Sequence, residues 1–180
     1  MKNINKGFTL IELLIVIALL GALAVGLLAA LDPFEQLKKG TDTGVRNTVS
    51  EMHGAVLRYY AIKSNMPWCA VAACTSWRDV AVTSETVSGL TLTGLTNTII
   101  EIAASGELKN DFSTLAGAVT LGKIKVYGSN TSATLKVCYS PSAKSFINDP
   151  NTKFLLATGV ESVTCKGAGG ADLTCMWCVQ

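Results

Sequence analysis

Three hydrophobic patterns divide the chain. Over residues 8–31 every position except Thr9, Glu12 and two glycines is apolar. No polar face interrupts the run, so it reads as a helix surrounded by hydrocarbon, not one resting on a core. At about 1.5 Å per residue such a helix reaches ~36 Å, enough for a hydrocarbon layer of ~30 Å. Next, Phe34, Leu37, Thr41, Val45, Val49, Met52, Val56 and Tyr60 recur every three or four residues, the stripe of an amphipathic helix over 32–63 that should dock on the rest of the molecule. Asp32-Pro33-Phe34-Glu35 marks its start: an acid at the cap, proline at the first helical position, and a second acid three residues after the cap. Gly40 and Gly44 each cost roughly 1 kcal/mol inside a helix, so this stretch is expected to be soft.

After Pro67 the helical period stops. A loop carrying Cys69 and Cys74 leads into a Thr/Ser-rich segment with short strands, and Leu95, Ile99, Ile102 and Ala103 predict a second short helix closing near Gly106. Then residues 123–127, 133–139, 144–147, 154–157 and 160–163 read as short strands separated by Gly-Ser-Asn, Ser-Pro and Asn-Asp-Pro-Asn turns. Residues 166–171 are glycine-rich and are expected to form a mobile loop. The predicted class is α+β: a long N-terminal helix, half membrane-spanning and half amphipathic, packed on a small antiparallel sheet head with disulfides. The divisions are a basic leader over 1–7, the apolar helix over 8–31, the amphipathic helix over 32–63 and the head over 64–180.

Charge fixes the orientation. Lys2 and Lys6 precede the apolar run with no acid beside them, which keeps that end cytoplasmic and places the head outside. With those two lysines set aside, 13 acidic side chains face an equal number of basic ones. Copies of such a chain repel one another weakly. No cation cluster of the kind that duplex DNA demands is present, so no specific nucleic-acid partner is expected. Lys123, Lys125 and Tyr127 share one side of a predicted strand, and a solvated face accounts for them.

All six cysteines, Cys69, Cys74, Cys138, Cys165, Cys175 and Cys178, lie in the head. In an exported domain they form a disulfide framework with fifteen complete pairings open to it. Local spacing and a strand-to-strand tie favour Cys69 with Cys74, Cys138 with Cys165, and Cys175 with Cys178. Cys175-Met176-Trp177-Cys178 is also a C-x-x-C pair, for which a redox dithiol, or a zinc site shared with Cys69 and Cys74, is the alternative. His53, the one histidine, is expected to be partly buried on the helix surface. No paired-carboxylate, calcium-loop or phosphate-cradling pattern stands out, and the expectation is a protein with no enzymatic activity, no cofactor and no metal.

Glu12 is the anomaly, because a carboxylate in an apolar helix costs on the order of 3 kcal/mol. A cleaved signal peptide ending near Ala24, at Ala22-Leu23-Ala24, and a plain single-span anchor both leave it unexplained. Cutting after Gly7 would give Phe8 a free ammonium four residues from Glu12, on the same helical face. At this point the residues carry a resemblance. Lys6-Gly7-Phe8-Thr9-Leu10-Ile11-Glu12-Leu13-Leu14 resembles the N-terminal signature of type IV pilins and type II secretion pseudopilins.

The resemblance implies cleavage after Gly7 by a prepilin peptidase, N-methylation of Phe8, and pairing of Glu12 with a neighbouring subunit's N-terminus. It also implies as partners other pilins, copies of the chain itself in a helical homopolymer, and an assembly platform with its ATPase. Membrane lipid would be the partner before assembly. The location implied is the cytoplasmic membrane in a single pass, followed by an extracellular pilus or a periplasmic pseudopilus. Cysteine abundance in the head tilts the expectation toward a pilus. A pseudopilin, or an exported disulfide-bonded binding protein released near Ala24, are the alternatives.

Overall fold

A computed structural model describes residues 7–30, 32–165 and 175–180. The leader, apart from Gly7, lies outside the described residues, as do Leu31 and the 166–171 loop. The chain forms two compact units, 1–37 and 38–180. In the first, α1 (Leu10–Ala30) is the one helix among the described residues long and apolar enough to cross a membrane. Its 21 residues reach about 32 Å.

Helix α2 (Pro33–Lys63) begins as expected. The Glu35 N–H donates to Asp32 Oδ1 at 3.2 Å, and Gln36 makes the first helical bond to the Asp32 carbonyl. It runs unbroken through Gly40 and Gly44, because the face opposite them is held by the core. That face comprises Asp42, Val45, Val49, Met52, His53, Ala55, Val56 and Tyr59. The buried stripe therefore starts at Asp42: Phe34, Leu37 and Thr41, predicted to belong to it, are exposed, and Tyr60 is half-buried. His53 is more deeply buried than expected.

The head is a five-stranded antiparallel sheet of order β1-β2-β3-β5-β4. Its strands are β1 (Thr86–Thr91), β2 (Ile124–Ser129), β3 (Thr134–Tyr139), β4 (Thr152–Leu155) and β5 (Cys175–Val179), joined by α3 (Thr96–Ala104), α4 (Phe112–Ala116), α5 (Ala118–Lys123) and α6 (Lys144–Ile147). Alternation sorts the side chains between two cores. Ile124, Val126, Leu135, Val137 and Tyr139 join the α2 stripe and Trp68 in the main core. From the other face Tyr127, Cys138, Phe154 and Met176 form a smaller one. The turn after β4 closes over that second core through Gly159, at φ +66°, where a Cβ would lie 2.7 Å from the Tyr127 ring. Only glycine fits there.

Three expectations for strands are corrected. Residues 144–147 form α6, because the Asp42 carboxylate accepts the N–H groups of Ser142 and Ala143 at 2.8 and 2.7 Å and turns the chain just before it. Residues 160–163 make one bridge, Glu161 to Phe154, before a 3-10 turn at Val163–Cys165. The strand predicted over 154–157 sits two residues earlier, as β4. The short helices α4 and α5 and the last strand, β5, had no counterpart among the predicted elements.

Two of the three favoured cysteine pairings are also corrected. Cys69–Cys74 forms as expected, but the others are Cys138–Cys178 and Cys165–Cys175. The reason is β5. Three residues apart on a strand, Cys175 and Cys178 point to opposite faces and cannot reach each other. Register sets Cys138 directly opposite Cys178 on the neighbouring strand, with Cα atoms 4.1 Å apart. With its two sulfurs committed to different partners, the C-x-x-C pair is neither a local dithiol nor half of a zinc site.

One arginine ties these layers together. Arg46, on α2, donates to Tyr139 Oη at 3.0 Å and to Asp149 Oδ2 at 2.8 Å. Its guanidinium carbon lies 4.0 Å from the ring centre of Phe146 and 4.6 Å from that of Trp177. Burial works against the Arg46 charge, and these two acceptors more than restore it. At Asp149 burial pushes the carboxyl upward, but the Asn151 N–H and Arg46 outweigh it and hold the group below its ordinary range.

Candidate assembly site at the start of the first helix

The site predicted from sequence occupies the first turn of α1. Gly7 and Phe8 precede the helix in irregular, exposed chain, with Phe8 82% exposed. A Cβ built on Gly7 meets nothing within 4 Å. Thus nothing among the described residues requires glycine there.

Glu12 has a partner in its own chain. Thr9 donates its N–H to Glu12 Oε2 at 2.9 Å and its hydroxyl to the same oxygen at 2.6 Å. The Glu12 N–H returns a longer bond, 3.4 Å, to the Thr9 hydroxyl. This is a capping box, Thr9 at the cap and Glu12 three residues on, and it satisfies helix-start donors that would otherwise be orphaned. Leu13 then closes the first full turn onto the Thr9 carbonyl. Sequence reasoning quoted Thr9 within the signature but assigned it no role, although Thr-x-x-Glu before an apolar run is a legible cap. The carboxylate therefore enters the helix start with its oxygen already engaged, which lessens the cost of placing it at the membrane.

Along the rest of α1 the large side chains are bare: Leu10 is 81% exposed and Leu28 70%. In the head all six cysteines are in disulfides. Among the described residues no three His, Cys, Asp or Glu side chains are grouped so as to hold a metal ion.

These features fit a class: a membrane-anchored chain with one apolar helix among the described residues and an α+β head held by disulfides. Residues 2–28 match the family model for the prokaryotic N-terminal methylation motif, so the chain carries the signature of type IV pilins and pseudopilins. The motif supports a precursor like those of type IV pilins and pseudopilins, and it implies processing by a prepilin peptidase and assembly with pilins in general. The match ends within α1. Comparison with curated proteins and with solved structures gives no match.

Proposed function

We propose that this protein is a structural subunit of a type IV pilus-like filament, cleaved after Gly7, methylated on Phe8 and assembled through α1. The observation that carries the reading is the bare apolar helix with one carboxylate in its first turn. In lipid that helix is at rest. In a filament, the same surface is buried against helices of other copies, and Glu12 exchanges part of its bonding to Thr9 for the ammonium of a neighbouring Phe8. Removal of Lys2 and Lys6 with the leader creates that ammonium. Three disulfides in the head fit an oxidising compartment outside the cytoplasmic membrane, as a surface fibre and a periplasmic pseudopilus both require. The protein acts by assembly and is itself the substrate of the peptidase.

Mass spectrometry of the mature N-terminus tests the processing step. Methylated Phe8 is the expected result, and a chain beginning at Val25 would replace the filament reading with that of a secreted protein. Glu12→Ala should insert in the membrane at wild-type level and lose most filament formation. Normal filament numbers in that variant would remove Glu12 from its role.

A further inference from the structure

The sheet face that carries the smaller core also holds a polar trough of about 200 Å³. Two cross-strand rows make its floor. Register sets Thr86 of β1, Ser129 of β2 and Thr134 of β3 side by side, and in the next row Ser88, Tyr127 and Lys136. Alternation sends these side chains to one face, since Val87, Leu135 and Val137, one position along, enter the main core. The wall is the turn through Thr158, Gly159 and Val160. It is pinned where Lys136 Nζ donates to the Gly159 carbonyl at 3.2 Å and Tyr127 Oη to the Leu156 carbonyl at 2.7 Å.

Lys136 is the one charged side chain in that lining. It is half-buried, lies 5.2 Å from the ring centre of Phe154, and makes no ion pair among the described residues. Of its three donors, one goes to the neutral Gly159 carbonyl. Burial has cost the ammonium part of its hydration without supplying an anion. The acids nearby are engaged by other groups. Glu161, next to Val160, pairs with Lys153 at 3.2 Å. Glu85, beyond the first row and away from Lys136, accepts the Thr131 N–H at 2.7 Å and its hydroxyl at 2.6 Å. It also draws the hydroxyl protons of Thr86 and Ser129, at 3.4 and 3.5 Å. The two ends of the trough therefore differ: one offers a cation, the other hydroxyl lone pairs that suit a ligand's O–H groups.

We propose that this trough binds one acidic sugar residue, its carboxylate on Lys136 and its hydroxyls on the Thr86–Ser129–Thr134 row. Size sets the upper limit. The volume equals about six or seven waters at roughly 30 Å³ each, below the ~300–1,000 Å³ of sites for drug-sized ligands. That suits a single sugar ring and not a cofactor. One cation likewise suits one carboxylate, whereas a nucleic-acid strand would need several. The row of hydroxyls separates a sugar from a bare anion, which has no O–H groups to give it. Binding here needs only the folded head, whether or not copies assemble.

The test titrates glucuronate, glucose and acetate into the full-length, detergent-solubilised chain at low salt, followed by ligand-observed NMR. Glucuronate is expected to bind with a Kd on the order of 1 mM, and glucose and acetate each at least about tenfold more weakly. Raising the salt to about 0.15 M should weaken glucuronate several-fold. Lys136→Met keeps the apolar stem beside Phe154 and should lose glucuronate roughly tenfold. Thr134→Val, at an exposed strand end, should weaken glucuronate about threefold and leave acetate as in wild type. Thermal unfolding checks each variant, and if Lys136→Met unfolds early, Thr134→Val and the ligand comparison decide. Acetate binding as well as glucuronate would leave an anion site with no sugar recognition. Glucose binding as well would remove Lys136 from the site. Either result, or no glucuronate binding at about 20 mM, overturns the assignment.

Discussion

Arg46 concentrates more of the head's connections than any other side chain described above. Its guanidinium joins α2 to β3, α6, β5 and the Asp149 turn at one point, over the rings of Phe146 and Trp177. Arg46→Ala should lower the unfolding free energy by about 2–4 kcal/mol, since it strips a partly buried carboxylate and a phenol of their partner as well as removing the stack. Arg46→Lys should recover less than half, because an ammonium offers neither the fork nor the flat face. Urea titration of the detergent-solubilised chain measures both. His53 gives the head an acid-sensitive point. Burial holds its imidazole below the ordinary value of 6.5, so near and below that pH the unfolded chain binds a proton that the folded chain refuses. Stability is full above about pH 6.5 and declines as pH falls below it. Comparing urea midpoints at about pH 8 and pH 5.5 should show the loss, and His53→Gln should flatten the part owed to this residue.

At the level of elements, the parts with strong period and clear caps were legible. The apolar run, the Asp32-Pro33 start of α2 and strands β2 and β3 fall where the pattern put them. Segments whose fate depends on partners distant in sequence were not. Nothing near Lys144 announces that Asp42, a hundred residues earlier, will hold the turn before α6. The start of α3 is capped in the same remote way, by Asp79 accepting the N–H groups of Asn97 and Thr98. Residues 175–179 have no place among the elements the pattern predicts, because only tertiary pairing with β3 and β4 makes them a strand. The cysteine pairing followed from that omission. Peptide mapping without reduction should recover Cys138 linked to Cys178 and Cys165 linked to Cys175, and a Cys175–Cys178 link would refute this register. Cys178→Ser together with Cys138→Ser should cost about 4 kcal/mol in the loop-entropy model, more than loss of Cys69–Cys74, whose loop is much shorter.

For the whole molecule, the sequence showed the division of labour more clearly than the interior of the head. The N-terminal unit presents its apolar side chains outward, and the larger unit keeps its own inside two cores on opposite faces of one sheet. The first arrangement needs only composition to be recognised. The second is written in the alternation of strands too short to be unambiguous singly. The expectations for Gly7, Phe8 and Glu12 come from the residues alone, and the structure adds the bond between Thr9 and Glu12 in the first turn.

The seating of α2 also determines how the head would bear a load. A pull along that helix cannot peel it away one residue at a time, since the Val45-to-Tyr59 stripe, the Asp42 carboxylate and the Arg46 guanidinium all resist sliding together. Behind them the covalent link between β3 and β5 stops those two strands from unzipping. Tension entering through the helix is thus met in shear by many contacts at once, the geometry in which weak bonds make a strong joint.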